Sequence, residues 1–535
     1  MVRRKTRASR SAGAWAWALL LCSSAAYFFL ANDADNDLWG HVFFGRHILA
    51  AGGAPHTDPY AYTTAGATWV DHEWLTQAGM AVLFDRLGNP GLLLFKFLAG
   101  VATFALVLHG VRQRTPVAWQ WGGIGLLVAA VLARGFACRP QIVTYVAVAA
   151  LLVLLRQAGS RHRAWLWAVP PLFALWANAH GGFVLGLVVL GMATAAATWQ
   201  RRPEARQLGL VLGLAVAATA VNPYGPGLLV YVAKELRMPH PITEWQAPAL
   251  TEVEHGAFFA LLGLFVVTLP FQRLASRPRE HGTRTTAHGR GPTDSGIQSV
   301  LRAPGSVFPS IFGRAFDWEV LLAIGVAAMA LQHQRHTPLL AICAAAPLAT
   351  QLRRASVWAR HHGVTGLGIG ATRALGGAVV ALAVLQLGLT AARLRRDGLN
   401  IVYDPADYPV RAVAAMRAAG MTANLAVPLE WGEYVLYFLS PRVKVSLDGR
   451  FATLFPESVI AENFDFFAGA AGWQRLLDAY PTDAVLLPAD ASCPIDTLPG
   501  WRRILTDGTA SVYVRGPAPA PLQSPAAPAT SGIFP

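Results

Sequence analysis

Charge is what this chain lacks. Asp, Glu, Lys and Arg make up only 14% of its 535 residues, while 54% are hydrophobic, and the mean hydropathy is +0.39. Soluble domains carry about 25% charged residues. The shortage excludes an ordinary soluble globular protein and points to many membrane-spanning helices. Acid is scarcer than base: 30 Asp and Glu stand against 44 Lys and Arg, a formal net charge of +14. The basic residues sit in short clusters between apolar runs, not in a face or motif. They read as topology signals, and no nucleic-acid partner is expected. Cysteine is rarer still. Cys22, Cys138, Cys343 and Cys493 form no CxxC pair, and Cys22 and Cys343 lie inside apolar runs. That pattern supports neither a thiolate metal centre nor a disulfide framework. Sequence repeats and paired broken helices of the transporter type are also missing.

A spanning helix needs about 20 mostly apolar residues. Runs of this kind predict about eleven spans, near 14–31, 91–110, 118–134, 140–155, 164–179, 182–199, 207–221, 256–271, 317–332, 337–351 and 370–391. MVRRKTRASR and the first run read as an uncleaved signal anchor, because the run is too long for a signal-peptide core and no A-x-A site follows. With residues 1–13 in the cytoplasm, the connectors 111–117, 156–163, 200–207, 272–316 and 351–369 are cytoplasmic too. Each carries at least two Arg or Lys, the positive-inside pattern. Residues 14–391 then form the membrane domain, and the polar region 392–515 lies outside. Segment 272–316, rich in Gly, Ser, Thr and Arg, reads as a disordered cytoplasmic loop.

Within 392–515, DYPVRAVAAMRAAG, SVIAENFDFF and WQRLLDAY have helical character, while ANLAVPL, RVKVSLDGR, AVLLP and ASVYVR look like strands. The expected fold is therefore a polytopic α-helical membrane protein with a small C-terminal α/β extracytoplasmic domain. The Pro/Ala-rich tail 516–535 reads as disordered.

This topology collects the informative polar residues on one side. The first outer loop, residues 32–90, carries Asp35, Asp37, His72 and Glu73 beside amphipathic stretches suited to the interface. A loop of that length is usually functional. Asp35 and Asp37 form a D-x-D pair, which suits a divalent cation such as Mg²⁺ or Mn²⁺, or a base and its neighbour. Termination of the first helix on the water side is the plainer reading. His180 is a candidate third metal ligand, against a helix-capping role. Arg139, Arg335 and His336 sit at outer span ends, where arginine can hold phosphate bidentately, although any one of them could be snorkelling. Trp431, Tyr434, Asp448 and Arg450 in the outer domain are candidates for contacting an acceptor, against a purely structural turn around Gly449.

As a set, DNDLWGHVFFGRHILAAGGAPHTDPYAYT, WVDHEWL, RPQ, WANAHGGFVLG, NPYG, TEW, RHTPLLAI and WGEYVLYFLSPRVKVSLDGR resemble bacterial integral membrane proteins related to the GT-C glycosyltransferases. GT-C enzymes have a multi-span helical fold, carry a catalytic acidic motif in the first outer loop, and use polyprenyl-phosphate-linked sugars. The resemblance implies a GT-C-like chain in a bacterial inner membrane that moves a sugar from a lipid-linked donor to a glycan, lipid or protein acceptor. It implies that Asp35 and Asp37 are the acidic motif; His72 and Glu73 are then expected to orient or share the base role, and Arg139, Arg335 and His336 to stabilise the leaving phosphate. A non-enzymatic assembly or ligand-binding protein, or a transporter of envelope glycan precursors, is the alternative. One departure stands out: Gly40 occupies the place where a second aromatic is expected beside Trp39.

Overall fold

Apolar runs of helical length set the architecture. The computed structural model describes residues 2–160, 162–235, 243–273, 317–364, 366, 368–516, 522 and 532–535. The helices of the first two thirds are α1 (Val2–Phe29), α2 (Leu38–Ala51), α3 (Trp74–Leu87), α4 (Asn89–Arg114), α5 (Ala118–Ala133), α6 (Gln141–Arg156) and α7 (Val169–Ala179). They continue as α8 (Phe183–Trp199), α9 (Ala205–Ala218), α10 (Gly227–Glu235), α11 (Gly256–Thr268), α12 (Trp318–Gln332), α13 (Thr337–His361) and α14 (Ile369–Asp397).

Every expected span falls on helix. Among the described residues, three helices are long and apolar enough to cross a membrane: Asn89–Arg114, Val253–Gln272 and Gly370–Asp397. Gly13–Phe29, Ala118–Ala133, Gln141–Arg156, Phe183–Trp199, Ala205–Ala218 and Trp318–Gln332 are shorter apolar helices. Large apolar side chains point outward from these helices, among them Val267 at 71% and Leu385 at 57% exposure. A water-facing surface would not collect such residues on its longest helices, whereas lipid accepts them. Inside the bundle, one core packs Phe29, Phe104, Trp176, Phe183 and the wholly buried stretch of α13 from Thr337 to Ala349.

Beyond α14 the chain becomes an α/β domain. Its strands are β1 (Val402–Tyr403), β2 (Ala423–Ala426), β3 (Val443–Val445), β4 (Ala484–Pro488), β5 (Trp501–Thr506), β6 (Ala510–Arg515) and β7 (Gly532–Ile533). Its helices are α15 (Val410–Ala418), α16 (Leu429–Leu439), α17 (Glu457–Ala468) and α18 (Arg475–Ala479). Five strands form one sheet in the order β3-β2-β4-β6-β5, with β2 parallel to both neighbours and the last two pairings antiparallel. β5 was not anticipated, because only Ile504 and Leu505 of WRRILT are buried and no apolar alternation marks it.

Two boundaries differ from the expectation. α14 runs on to Asp397, so the α/β domain begins later than 392. The end of the Pro/Ala-rich tail is ordered, because Gly532 and Ile533 pair with β1 and Phe534 is buried against Trp39 and Phe84. Residues 274–316, most of the loop read as disordered, lie outside the described residues.

The first long loop is built into this domain. Trp39 of α2 is fully buried and meets Tyr403, Tyr408, Tyr434, Tyr437, Phe438 and Phe534 with ring centroids 4.6–5.6 Å away. Backbone N–H groups of Tyr62 and Val445 donate across to the carbonyls of Val445 and Tyr60, extending the sheet edge with loop residues. Arg450 completes the joint. Its guanidinium donates to Asp58 at 2.8 Å and to both oxygens of Asp448 at 2.7–2.8 Å, and it lies 4.6 Å from the Trp69 ring and 4.9 Å from that of Phe44. Asp448 and Arg450 are thus shut inside the protein and cannot touch an acceptor, which corrects that expectation. Tyr434, buried in the Trp39 cluster, is corrected for the same reason.

Removing one partner of a buried ion pair strands the other and costs about 3–5 kcal/mol. Asp58→Ala and Arg450→Ala should each lower the thermal unfolding midpoint of the detergent-purified protein by several degrees. A wild-type midpoint in both would show that the joint is not held there.

Candidate functional site

The turn that ends α1 and opens α2 presents two acids. Asp35 Oδ1 accepts from the Asp37 N–H at 3.0 Å, and the Leu38 N–H donates to the Asp35 carbonyl, so the turn is closed by its own first acid. Asp37 is the N-cap of α2, yet its side chain caps nothing. Both carboxylates face Arg139, which stands in the turn between α5 and α6. Arg139 Nε donates to Asp35 Oδ1 at 2.5 Å, Nη2 lies 3.3 Å from Asp37 Oδ2, and Nη1 pairs with Glu244. Glu244 belongs to the short turn Thr243–Trp245. Next to it the Trp245 ring lies 4.6 Å from the Arg335 guanidinium and meets the rings of His333 and His336.

Arg139 and Asp35 are mostly covered, while Asp37 keeps 35% of its side chain exposed. Burial nevertheless raises the Asp37 carboxyl to about 6; Asp35 and Glu244 push the same way, while Arg139 and Arg335 oppose them. Asp37 is therefore the carboxylate of the pair that solvent or a ligand can reach, poised near neutrality.

A second group adjoins the first. Glu73, the residue before α3, places its carboxylate 3.5 Å from His180 Nε2, 3.7 Å from His72 Nε2 and 4.0 Å from His41 Nδ1. Burial raises Glu73 to about 7 against the pull of His72. His72 is itself raised: burial works against its charged form, but Glu235, Glu73 and Asp71 together outweigh it. Both shifts are upward, so each group takes up a proton more readily than it would in water. His41 goes the other way, lowered to about 3 by burial and by Arg139, and stays neutral. The Gly182 N–H donates to His180 Nδ1 at 2.9 Å. Nδ1 is thus the acceptor, which assigns the ring proton to Nε2, facing Glu73.

The expected residues therefore divide. Asp35, Asp37 and Arg139 are in direct contact, and Arg335 is near enough to act on Asp37. His72 and Glu73, just before α3, adjoin them. His336 sits beside Trp245, and burial, Arg335 and His333 lower it to about 4, so it offers a neutral ring and not a second cation. His180 binds Thr144 and Glu73, not the D-x-D pair. Among the described residues no group of three or more His, Cys, Asp or Glu is disposed to hold a metal ion. The carboxylates that would be its ligands already serve a guanidinium, so the donor set does not fit a divalent cation. Trp431 donates its indole N–H to the Asp407 carbonyl and lines a cleft of about 550 Å³ with Asn36, Asp407, Glu430 and Asp490.

Sequence reading missed Glu433. It lies on α16, a helix that was not anticipated, and is buried beneath the Asp37 turn. The Gly40 N–H donates to Glu433 Oε2 at 3.1 Å. A Cβ on Gly40 would sit 2.1 Å from the Glu433 carboxyl carbon. That contact explains the glycine where an aromatic was expected. An acid between the apolar residues of WGEYVLYFL was the available signal.

Fold and site together describe a multi-span helical protein whose acids, arginines and histidines converge where its first long loop meets the connectors of the bundle. Neither the protein-family models nor the curated proteins compared with the chain match it. Among solved structures it is similar to the crystal structure of ArnT from Cupriavidus metallidurans bound to undecaprenyl phosphate, at 14% identity and a TM-score of 0.42, covering 94% of this chain and 99% of that one.

A carboxyl with a raised folded-state pKa binds its proton more tightly in the native protein than in the unfolded chain. It therefore weakens the fold progressively as pH rises from about 4.5 to about 7. Glu73→Gln should raise the unfolding midpoint by a few degrees at pH 8 and leave it unchanged at pH 4.5. A loss of stability at pH 8 would contradict this.

Proposed function

We propose that the chain is a GT-C-type membrane glycosyltransferase, moving a sugar from a polyprenyl-phosphate donor to an acceptor at the extracytoplasmic face of a bacterial inner membrane. The observation that carries this reading is the Asp35–Arg139–Asp37 contact, which sets a reachable base beside a buried cation. The motif resemblance and the positive-inside pattern supply the donor class and the side of the membrane.

Asp37 is the base. It takes the proton of an acceptor hydroxyl as that oxygen bonds to the anomeric carbon, and the bond from that carbon to the phosphate oxygen breaks. Positioned bases of this kind contribute typically about 10²–10⁴ in rate. The electron pair leaves on the polyprenyl phosphate. Arg139 and Arg335 are the fixed cations beside that developing charge, where preorganised donors act most strongly. Asp35 orients Arg139 through its Nε. Asp37 is reset by giving the acceptor's proton up to solvent, which its partly exposed side chain can reach. No metal step is needed, since Arg139 occupies the place where a cation would neutralise the two acids. The cleft lined by Trp431, three carboxylates and Asn36, the residue before the base in sequence, suits a hydroxyl-rich acceptor.

The test is a glycan profile of cells carrying Asp37→Ala or Asp35→Ala at wild-type protein level. Loss of one glycoconjugate class is expected in both. If every glycoconjugate survives in both strains, transfer fails as a reading, and a non-enzymatic assembly or transport role replaces it.

A further inference from the structure

An aspartate at a helix N-cap ordinarily turns its carboxylate back onto the N–H of the second or third helical residue. Asp37 does not, although it stands at the N-cap of α2. The third helical residue is Gly40, and its N–H is taken by Glu433 Oε2 at 3.1 Å, from a helix almost 400 residues further along the chain. The other carboxyl oxygen points towards Gly449. A Cβ built on Gly449 would be 2.5 Å from Glu433 Oε1 and 3.2 Å from Asp37 Oδ1, so Gly449 is the spacer between the two acids. Glycines at 40 and 449 thus cradle the Glu433 carboxyl, and no larger residue fits on either side.

We propose that Glu433 is a positioning residue for Asp37: its carboxyl caps α2 in place of the N-cap side chain, and this leaves the Asp37 carboxylate free to face Arg139. The idea rests on the transfer reading only in naming Asp37 as the base. The groups facing Glu433 are Asp37, Asp448 and Arg450. Those facing Asp37 are Arg139, Asp35, Glu244 and Arg335. Burial and the two neighbouring aspartates hold Glu433 well above the usual carboxylate range, and Arg450 opposes them only in part. A neutral carboxyl is the form that can cap α2 without setting a full charge against Asp37. The C-terminal domain thereby fixes the base of a site whose other groups come from the membrane domain and the first loop.

If Glu433 does the capping, Asp37→Ala removes no cap in the wild-type protein. Where Glu433 can no longer accept a hydrogen bond, Asp37 turns back to cap α2 itself, and Asp37→Ala then removes one. The experiment is thermal unfolding of the detergent-purified full chain with Asp37→Ala in three backgrounds: wild type, Glu433→Gln and Glu433→Met. Gln keeps an accepting oxygen, whereas Met fills the space without one. The Asp37→Ala shift should be equal in the first two backgrounds and more negative by about 1–2 °C in the third. If Glu433→Met does not accumulate, Glu433→Ala supplies the third background. The same Asp37→Ala shift in all three overturns the proposal.

A positioning role also predicts rescue by the conservative variant. At equal protein level, cells with Glu433→Gln should keep the glycoconjugate that Asp37→Ala loses, while Glu433→Met lowers it about tenfold or more. Full product with Glu433→Met likewise overturns the proposal. The unfolding series needs no substrate. It therefore still decides the capping question if Asp37→Ala loses no glycoconjugate, an outcome that sinks the transfer reading alone.

Discussion

One guanidinium organises the site. Arg139 touches Asp35, Asp37 and Glu244, and those acids come from the turn before α2 and a turn before α11. Three carboxylates at such a range would repel one another and take up protons. With Arg139 among them they can stand together, and the one left most open, Asp37, remains reachable. The same cation depresses the protonation of His41. The charge states of the neighbouring groups thus follow in part from a single buried arginine, a residue type suited to such a place because it stays charged and offers several donors in a fixed plane.

The loop bearing the acids cannot hold itself in place. Its largest fully buried side chain, Trp39, belongs to a cluster supplied chiefly by the C-terminal domain. Arg450 binds Asp58 across the same boundary, with aromatic rings of the loop packed around it. Glu433 reaches α2 from the same side. The sheet and helices after α14 therefore act as a clamp on the loop. That arrangement gives a structural account of residues whose types suggest acceptor recognition but whose burial denies it.

Much of the framework was legible from residue order. Apolar run length located the helices, because lipid leaves the backbone no other way to satisfy its polar groups. Short strand-like runs in ANLAVPL, RVKVSLDGR, AVLLP and ASVYVR marked strands β2, β3, β4 and β6. β5 escaped, since its polar residues face solvent at the sheet edge and only two side chains turn inward. Asp35, Asp37 and Arg139 were recognisable by type and by their place at the ends of apolar runs. Their contact was not, because it depends on how helices more than 100 residues apart pack. Arg450 and Glu433 show the limit in opposite directions. A conspicuous arginine beside a glycine proved to be a buried brace, and an inconspicuous glutamate in an apolar helix proved to lie beneath the candidate base. Only burial and partners distinguish such cases, and both are properties of the assembled chain. Gly40 was noted as a departure, and its reason became visible only with Glu433 in place.

The account stands or falls on whether Arg139 receives a lipid phosphate. The direct measurement is the affinity of the purified protein for a polyprenyl phosphate, compared between wild type and Arg139→Gln. A charge-assisted hydrogen bond contributes about 1.5–3 kcal/mol, so the substitution should weaken binding by roughly 10- to 100-fold. Equal affinity in the two proteins would contradict the proposed donor site.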